Sequence, residues 1–180
     1  MTSNKTLQFE YAISKLLEWY SCVVPNWEKS VYAHFTRLAS LKLLFLLSAI
    51  KDYRSEDKDL LSVFDNYCAM QYGPVEVDIY SAIVYKQTSF YNFGNYALTV
   101  KDTTQSFDGL SDIEKARIDR AIELLKEHNP SLITLRASQL VNITHKWDAW
   151  RSAMGLAELL GRGSEKMSVE SIRSCIPFYE

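Results

Sequence analysis

Few groups in this chain could carry chemistry. Its three histidines, His34, His128 and His145, lie far apart, and Cys22, Cys68 and Cys175 are odd in number and just as dispersed. Zinc and iron sites show as close ligand pairs, His-Glu-x-x-His or Cys-x-x-Cys, because ligands on one helix face or turn must converge on a single ion. Neither spacing occurs, so no metal ligand and no disulfide framework is expected. Gly161-Arg162-Gly163 follows a helical stretch and lacks the Lys-Ser/Thr of a phosphate loop, which makes it a helix end and a turn. No Gly-x-Ser-x-Gly elbow is present either, and no catalytic or cofactor-binding residue is assigned. Eleven tyrosines and four tryptophans could stack on bases, but no run of Lys or Arg is interleaved with them, so they read as core and interface aromatics.

Two local constellations stand out. In Tyr72-Gly73-Pro74-Val75, glycine permits backbone conformations barred to other residues and proline fixes φ, so an apolar segment can turn sharply; the expectation is a structural corner. Thr144-His145-Lys146-Trp147-Asp148-Ala149-Trp150 joins a helix end, a polar kink and a new helix start. His145 could donate from one ring nitrogen to a backbone carbonyl and accept at the other, pinning the junction. That structural role is preferred to acid-base catalysis, because the one nearby carboxylate, Asp148, is wanted as a helix cap. Trp150 is expected to anchor the core.

The elements that must hold these residues are mainly helical. Residues 6–24 carry Ile13, Leu16, Leu17 and Tyr20 at helical spacing and stop before Pro25. Asn26 is expected to cap a second helix running to about Ile50, apolar on nearly every side and therefore central. Residues 51–59 read as a solvated connection, followed by a short helix or extended arm through Leu60, Leu61 and Phe64. Beyond Pro74, Val77, Tyr80 and Val84 form a helical stripe. In the aromatic, Asn-rich residues 88–110, Tyr96, Leu98 and Val100 alternate, as in a short strand or a hairpin turning at Gly94-Asn95. Ser111 and Glu114 form a capping box for a helix with Ile118, Ala121, Ile122 and Leu125 inward, ending at Asn129-Pro130. Ala137, Leu140, Val141 and Thr144 mark the next helix. Asp148 caps another whose inner face is Trp150, Ala153, Met154, Ala157 and Leu160, closed by Gly161. A polar turn through residues 161–166 leads to a short helix capped by Ser168, carrying Val169, Ile172 and Ile176 and stopped by Pro177. The fold class is mainly α: a single compact helical domain, residues 1–180, of seven or eight helices with room for one small hairpin.

Composition bounds the function. With 180 residues, 47% of them hydrophobic, the chain can bury roughly 70% of its unfolded surface around one core. Charge is nearly balanced, 20 basic residues against 22 acidic, so no long-range field draws the protein to nucleic acid or acidic lipid. The longest apolar stretch, 38–50, is interrupted by Lys42 and is short of the ~20 residues that cross a bilayer. The N-terminal sequence MTSNKTLQFEY lacks the layout of a signal peptide, and a cytoplasmic, reducing setting is expected.

Four segments together resemble the Panacea domain, the SocA-like antitoxin family, over about residues 35–179. Lys42-Leu43-Leu44-Phe45 is similar to the family's apolar Lys-Leu-Leu-Tyr helix, and Ala69-Met70-Gln71-Tyr72-Gly73-Pro74-Val75, with Tyr80 beyond it, to its Ala-x-x-Tyr-Gly-Pro-Val corner. Leu140, Thr144, His145 and Trp150 match a Leu-x-x-x-Thr-His-x-x-x-x-Trp segment; residues 167–172 resemble its closing Ile-Ser-x-x-x-Ile element. Ala149 stands where the family commonly has Pro, and the N-terminal helix and the aromatic 88–100 segment lie outside its usual pattern. The resemblance implies a bacterial antitoxin that binds a cognate toxin, usually encoded by a neighbouring gene; one branch also delivers its toxin to a Clp-type protease. Tyr72, Gly73, Pro74, Val75, Tyr80, Thr144, His145 and Trp150 then serve as scaffold, and Phe90, Tyr91, Phe93 and Tyr96 are the candidate partner surface, being aromatic types favoured at interface hot spots. Two other classes stand beside this one. A small enzyme, or a phage- or host-associated protein, would need a pocket at His145. A DNA-binding self-repressor would need exposed basic residues on one helix face, and Lys115, Arg117, Arg120 and Lys126 are diluted by Asp112, Glu114, Asp119 and Glu123.

Overall fold

The computed structural model describes residues 3–53, 59–104 and 106–180. Part of the connection expected at 51–59, residues 54–58, therefore lies outside the described residues. The fold is mainly α: among the described residues there are eight α-helices, a three-stranded sheet and a two-stranded hairpin.

Helix α1 (Asn4–Val23) starts where the Ser3 side chain accepts from the Thr6 amide and buries Phe9, Ile13 and Leu16. The single helix expected from Asn26 to Ile50 is instead three pieces: a 3₁₀ turn at Trp27–Lys29, α2 (Val31–His34) and α3 (Arg37–Ala49). Asn26 adopts a left-handed conformation, φ 53°, and makes no cap. The effective cap is Thr36, whose hydroxyl accepts from the Ala39 amide and starts a new helix. Helix α3 is the central element, buried along its length, including Lys42 and Ser48.

The corner is part of a sheet that the sequence did not announce. Tyr72-Gly73-Pro74-Val75 belongs to a β-hairpin: β1 (Tyr67–Met70) pairs antiparallel with β2 (Gly73–Glu76), Ala69 opposite Pro74 and Met70 opposite Gly73, with Gln71 and Tyr72 at the turn. The polar stretch read as a turn supplies a third strand, β5 (Ser164–Met167), paired to the other side of β1. Strand order is β2-β1-β5, so β2 is an edge, the one place in a sheet where a proline with no N–H is tolerated. Helix α3 packs on that edge, and the Lys42 ammonium donates to the Pro74 carbonyl at 2.6 Å.

Helix α4 (Val77–Val84) follows β2, but its buried side chains are Ile79, Ala82 and Ile83, while Tyr80 and Val84 face outward. The stripe read from the sequence was the wrong face, because at eight residues both faces carry apolar side chains. The hairpin expected at Gly94-Asn95 is present as β3 (Tyr91–Phe93) and β4 (Leu98–Val100). Helix α5 (Asp112–His128) has the Ser111–Glu114 capping box and buries Ile118, Ala121, Ile122 and Leu125 as expected. Helices α6 (Ala137–His145) and α7 (Asp148–Leu159) meet at Lys146 and Trp147. The cap position is Trp147 rather than Asp148, which is the first helical residue, and Leu160 is exposed beyond the helix end. Gly161, at φ +66°, takes the left-handed position after α7. Helix α8 (Val169–Ser174) is capped by Ser168 and buries Ile172; Ile176 lies past its end, exposed. No described helix is long and apolar enough to cross a membrane.

Candidate functional site

The two sequence constellations meet in space, across α3, the β1–β2 turn and the α6–α7 junction. Gly73 has φ +97°, and a Cβ there would stand 2.5 Å from Thr144 Oγ1 and 3.2 Å from Lys42 Nζ. Glycine is therefore demanded twice, by its left-handed backbone and by the close approach of α3 and α6. Thr144 is fully buried and donates to the Val141 carbonyl at 2.9 Å. The His145 ring stacks on Trp150, centroids 3.8 Å apart and planes 8° from parallel. Trp150 Nε1 donates to the Met70 carbonyl at 3.0 Å, so the indole ties α7 to the end of β1.

His145 hydrogen-bonds the backbone of Gln71, in the β1–β2 turn, while its buried Nε2 has no hydrogen-bond partner among the described residues. Burial, and then the nearby charge of Lys42, hold the ring below the usual histidine range. Trp150 is half-buried; the core anchor is Trp147, 1% exposed, edge-on to Phe45 at 5.0 Å, with Nε1 donating to the Phe178 carbonyl.

Lys42, which the sequence marks only as the break in an apolar run and the first residue of a family-like segment, is the most unusual ionisable group of the site. It is 0% exposed, and burial pushes its ammonium down to about 7. A lone lysine inside LASLKLLFLLSAI was the available signal: nothing in that segment offers it water, so it must be met by backbone or ligand.

Above this junction opens a cleft of about 580 Å³ between the start of α3, the β1–β2 turn, α4 and the start of β5. Leu38, Leu41 and Val75 line its walls, with Tyr72, 61% exposed, and Tyr80 among its other lining residues. Arg37 hydrogen-bonds Asn95 Oδ1 and lies over the Tyr80 ring, 5.7 Å from its centroid.

The proposed partner aromatics separate. Tyr91 and Phe93 are buried in the core, Phe90 is half-buried against Phe107, and Tyr96 alone is exposed, at 89%. The hairpin is held down by Glu10 of α1, whose carboxylate accepts from the amides of Ser89 (2.8 Å), Phe90 (2.6 Å) and Tyr91 (3.1 Å). Burial raises the Glu10 carboxyl above its ordinary range, against the opposing pull of those amides. Elsewhere, Asp65, Glu76 and Asp78 bring carboxylate oxygens within 4.8 Å of one another. Lys5 Nζ sits among them at 2.9, 2.5 and 2.6 Å, so an ammonium already supplies the cation. On α5, Arg120 pairs with Asp52 and Lys126 with Glu123, which further dilutes a basic face.

A family model described as the antitoxin SocA-like, Panacea domain matches residues 41–151. That stretch contains Lys42, the β1–β2 turn, Tyr80, Thr144, His145 and Trp150. Comparisons with curated proteins and with solved structures gave no match.

Proposed function

We propose, from the premise that the chain belongs to the SocA-like antitoxin, Panacea domain family, that it is a protein-binding module which neutralises a cognate toxin by direct contact and performs no catalysis. The observation that carries this reading is the family match together with the use its motif residues are put to. Lys42 holds Pro74, Trp150 holds Met70, Thr144 bonds within α6 and His145 holds Gln71. Groups engaged with backbone in this way build a rigid scaffold, and a rigid scaffold that presents exposed tyrosines suits recognition, because little conformational freedom is lost on binding.

The toxin is taken to be the product of a neighbouring gene, and the setting cytoplasmic. Expressing that gene in a bacterial host with and without this chain tests the reading. Growth arrest relieved by co-expression, with both proteins co-purifying, supports it; a harmless neighbour that forms no complex sinks it. Delivery to a Clp-type protease is the finer proposal, checked by the toxin's half-life: it should shorten when this chain is present and lengthen again when the protease is deleted.

A further inference from the structure

Resting on the protein-binding reading, we infer that the cleft between α3, the β1–β2 turn, α4 and β5 is the docking site for a partner segment in which a bulky apolar side chain adjoins an acidic one. The occupant follows from charge complementarity within an apolar groove. Across the whole chain acidic residues outnumber basic ones, 22 to 20, yet among the described residues no Asp or Glu lines the cleft, whereas Arg37 and Lys42 both do. Neither of these cations is ion-paired to a carboxylate among the described residues; Arg37 is met by the neutral Asn95 amide and Lys42 by the Pro74 carbonyl.

The rest of the lining suits an apolar side chain. Leu38, Leu41 and Val75 offer aliphatic walls, and the volume of about 580 Å³ falls within the ~300–1,000 Å³ usual for ligand sites. Tyr72, Tyr80 and Arg37 are residue types that dominate binding energy when a partner excludes water from them. A carboxylate brought to the Arg37 guanidinium would gain a charge-assisted hydrogen bond over an aromatic face. A carboxylate brought near buried Lys42 would favour its charged form, which burial alone disfavours. A basic segment meets the Arg37 charge as repulsion, which gives the cleft its selectivity.

The test uses the full chain as bait for a phage-displayed library of random dodecapeptides. The best clone is then made as an acetylated, amidated fluorescent peptide, so that only side chains carry charge, and its binding is followed by polarisation. Enriched clones should place Asp or Glu beside Leu, Ile, Phe or Met. Arg37→Glu should weaken binding roughly tenfold or more, with recovery when the peptide's acidic residue becomes Lys, a rescue that a merely misfolded variant could not give. Tyr72→Ala, at an exposed position, should also weaken binding while leaving the circular dichroism spectrum unchanged. No enrichment, enrichment of basic peptides, or affinity indifferent to both substitutions overturns the inference.

Co-purification with the neighbouring gene product separates this inference from the reading beneath it. A complex that survives Arg37→Glu and Tyr72→Ala leaves the antitoxin reading intact and removes the cleft as its docking place. Charge-swappable peptide binding without any such complex does the opposite.

Discussion

Glu10 and Lys42 are each an ionisable group at 0% exposure, and the protein treats them differently. Glu10, on α1, receives three backbone amides from the start of the β3–β4 hairpin, and the cationic Lys101 also acts on it. Its charge is compensated as a carboxylate's can be, by converging N–H dipoles, and the product is a fixed attachment between two elements. Lys42, in the wall of an open cleft, is met by one carbonyl and, among the described residues, by no carboxylate. The first arrangement is a finished joint. The second leaves donors unmet beside a place where a partner group could arrive, and undersatisfied buried polar groups are where function is to be looked for.

The contrast can be broken from either side. Glu10→Ala should have the largest effect, a loss of about 4 kcal/mol in urea unfolding, because three amide hydrogen bonds to one carboxylate, which fasten the start of the hairpin to α1, would be lost together. Glu10→Gln, which keeps one oxygen, should cost clearly less. Next comes Gly73→Ala, about 3 kcal/mol by the same measurement, since φ +97° is strained for any side chain and the new Cβ would meet Thr144 Oγ1 at 2.5 Å. A comparable midpoint for Gly73→Ala and wild type would mean the corner can relax, and the demand for glycine would have been misread.

Lys42→Met should change stability by no more than about 1 kcal/mol at pH 7, because an apolar side chain of similar length removes a buried charge that is poorly compensated. Its sharper signature is pH dependence. The Lys42 ammonium falls from 10.5 to about 7 on folding, so between those values the unfolded chain holds a proton that the folded chain has lost. Stability therefore rises with pH across that window and is lowest, for this group, below it. Denaturation midpoints measured from pH 7 to 10 should show that rise in wild type and a flatter profile in Lys42→Met; identical profiles would mean that Lys42 stays protonated in the fold. The smallest effect is expected at the hairpin turn, where Tyr96→Ala should move stability by less than about 0.5 kcal/mol, given an exposure of 89%. Should Tyr96→Ala nonetheless abolish toxin binding while Arg37→Glu does not, the hairpin rather than the cleft would be the recognition surface.

Much of the fold was legible from local signals. Capping is decided within four residues, so the Ser111–Glu114 box and the Ser168 cap were readable directly, and Pro25, Asn129-Pro130 and Gly161 marked helix ends for equally local reasons. The hairpin at 91–100 was readable from alternation and Gly94-Asn95. The family resemblance, too, rested on residue types in register along the chain, from Lys42 to Trp150.

What required the tertiary structure was every pairing between distant segments. The polar β5 sequence carries no strand signal of its own and becomes a strand only because β1, some 95 residues earlier in the chain, offers it a hydrogen-bonded edge. Which face of α4 is buried depends on α1 and β2 packing against it, not on its own eight residues. Of the four aromatics expected on a surface, Tyr91 and Phe93 point inward because Glu10 draws the start of their hairpin onto α1. Lys42 could be read as an interruption of an apolar helix, but its carbonyl partner, its lowered pKa and its cleft exist only once Gly73 lets the β1–β2 turn close against α3 and α6. Local chemistry sets where elements begin and end; the meeting of surfaces far apart in the chain sets which residues are buried, and so which remain to bind.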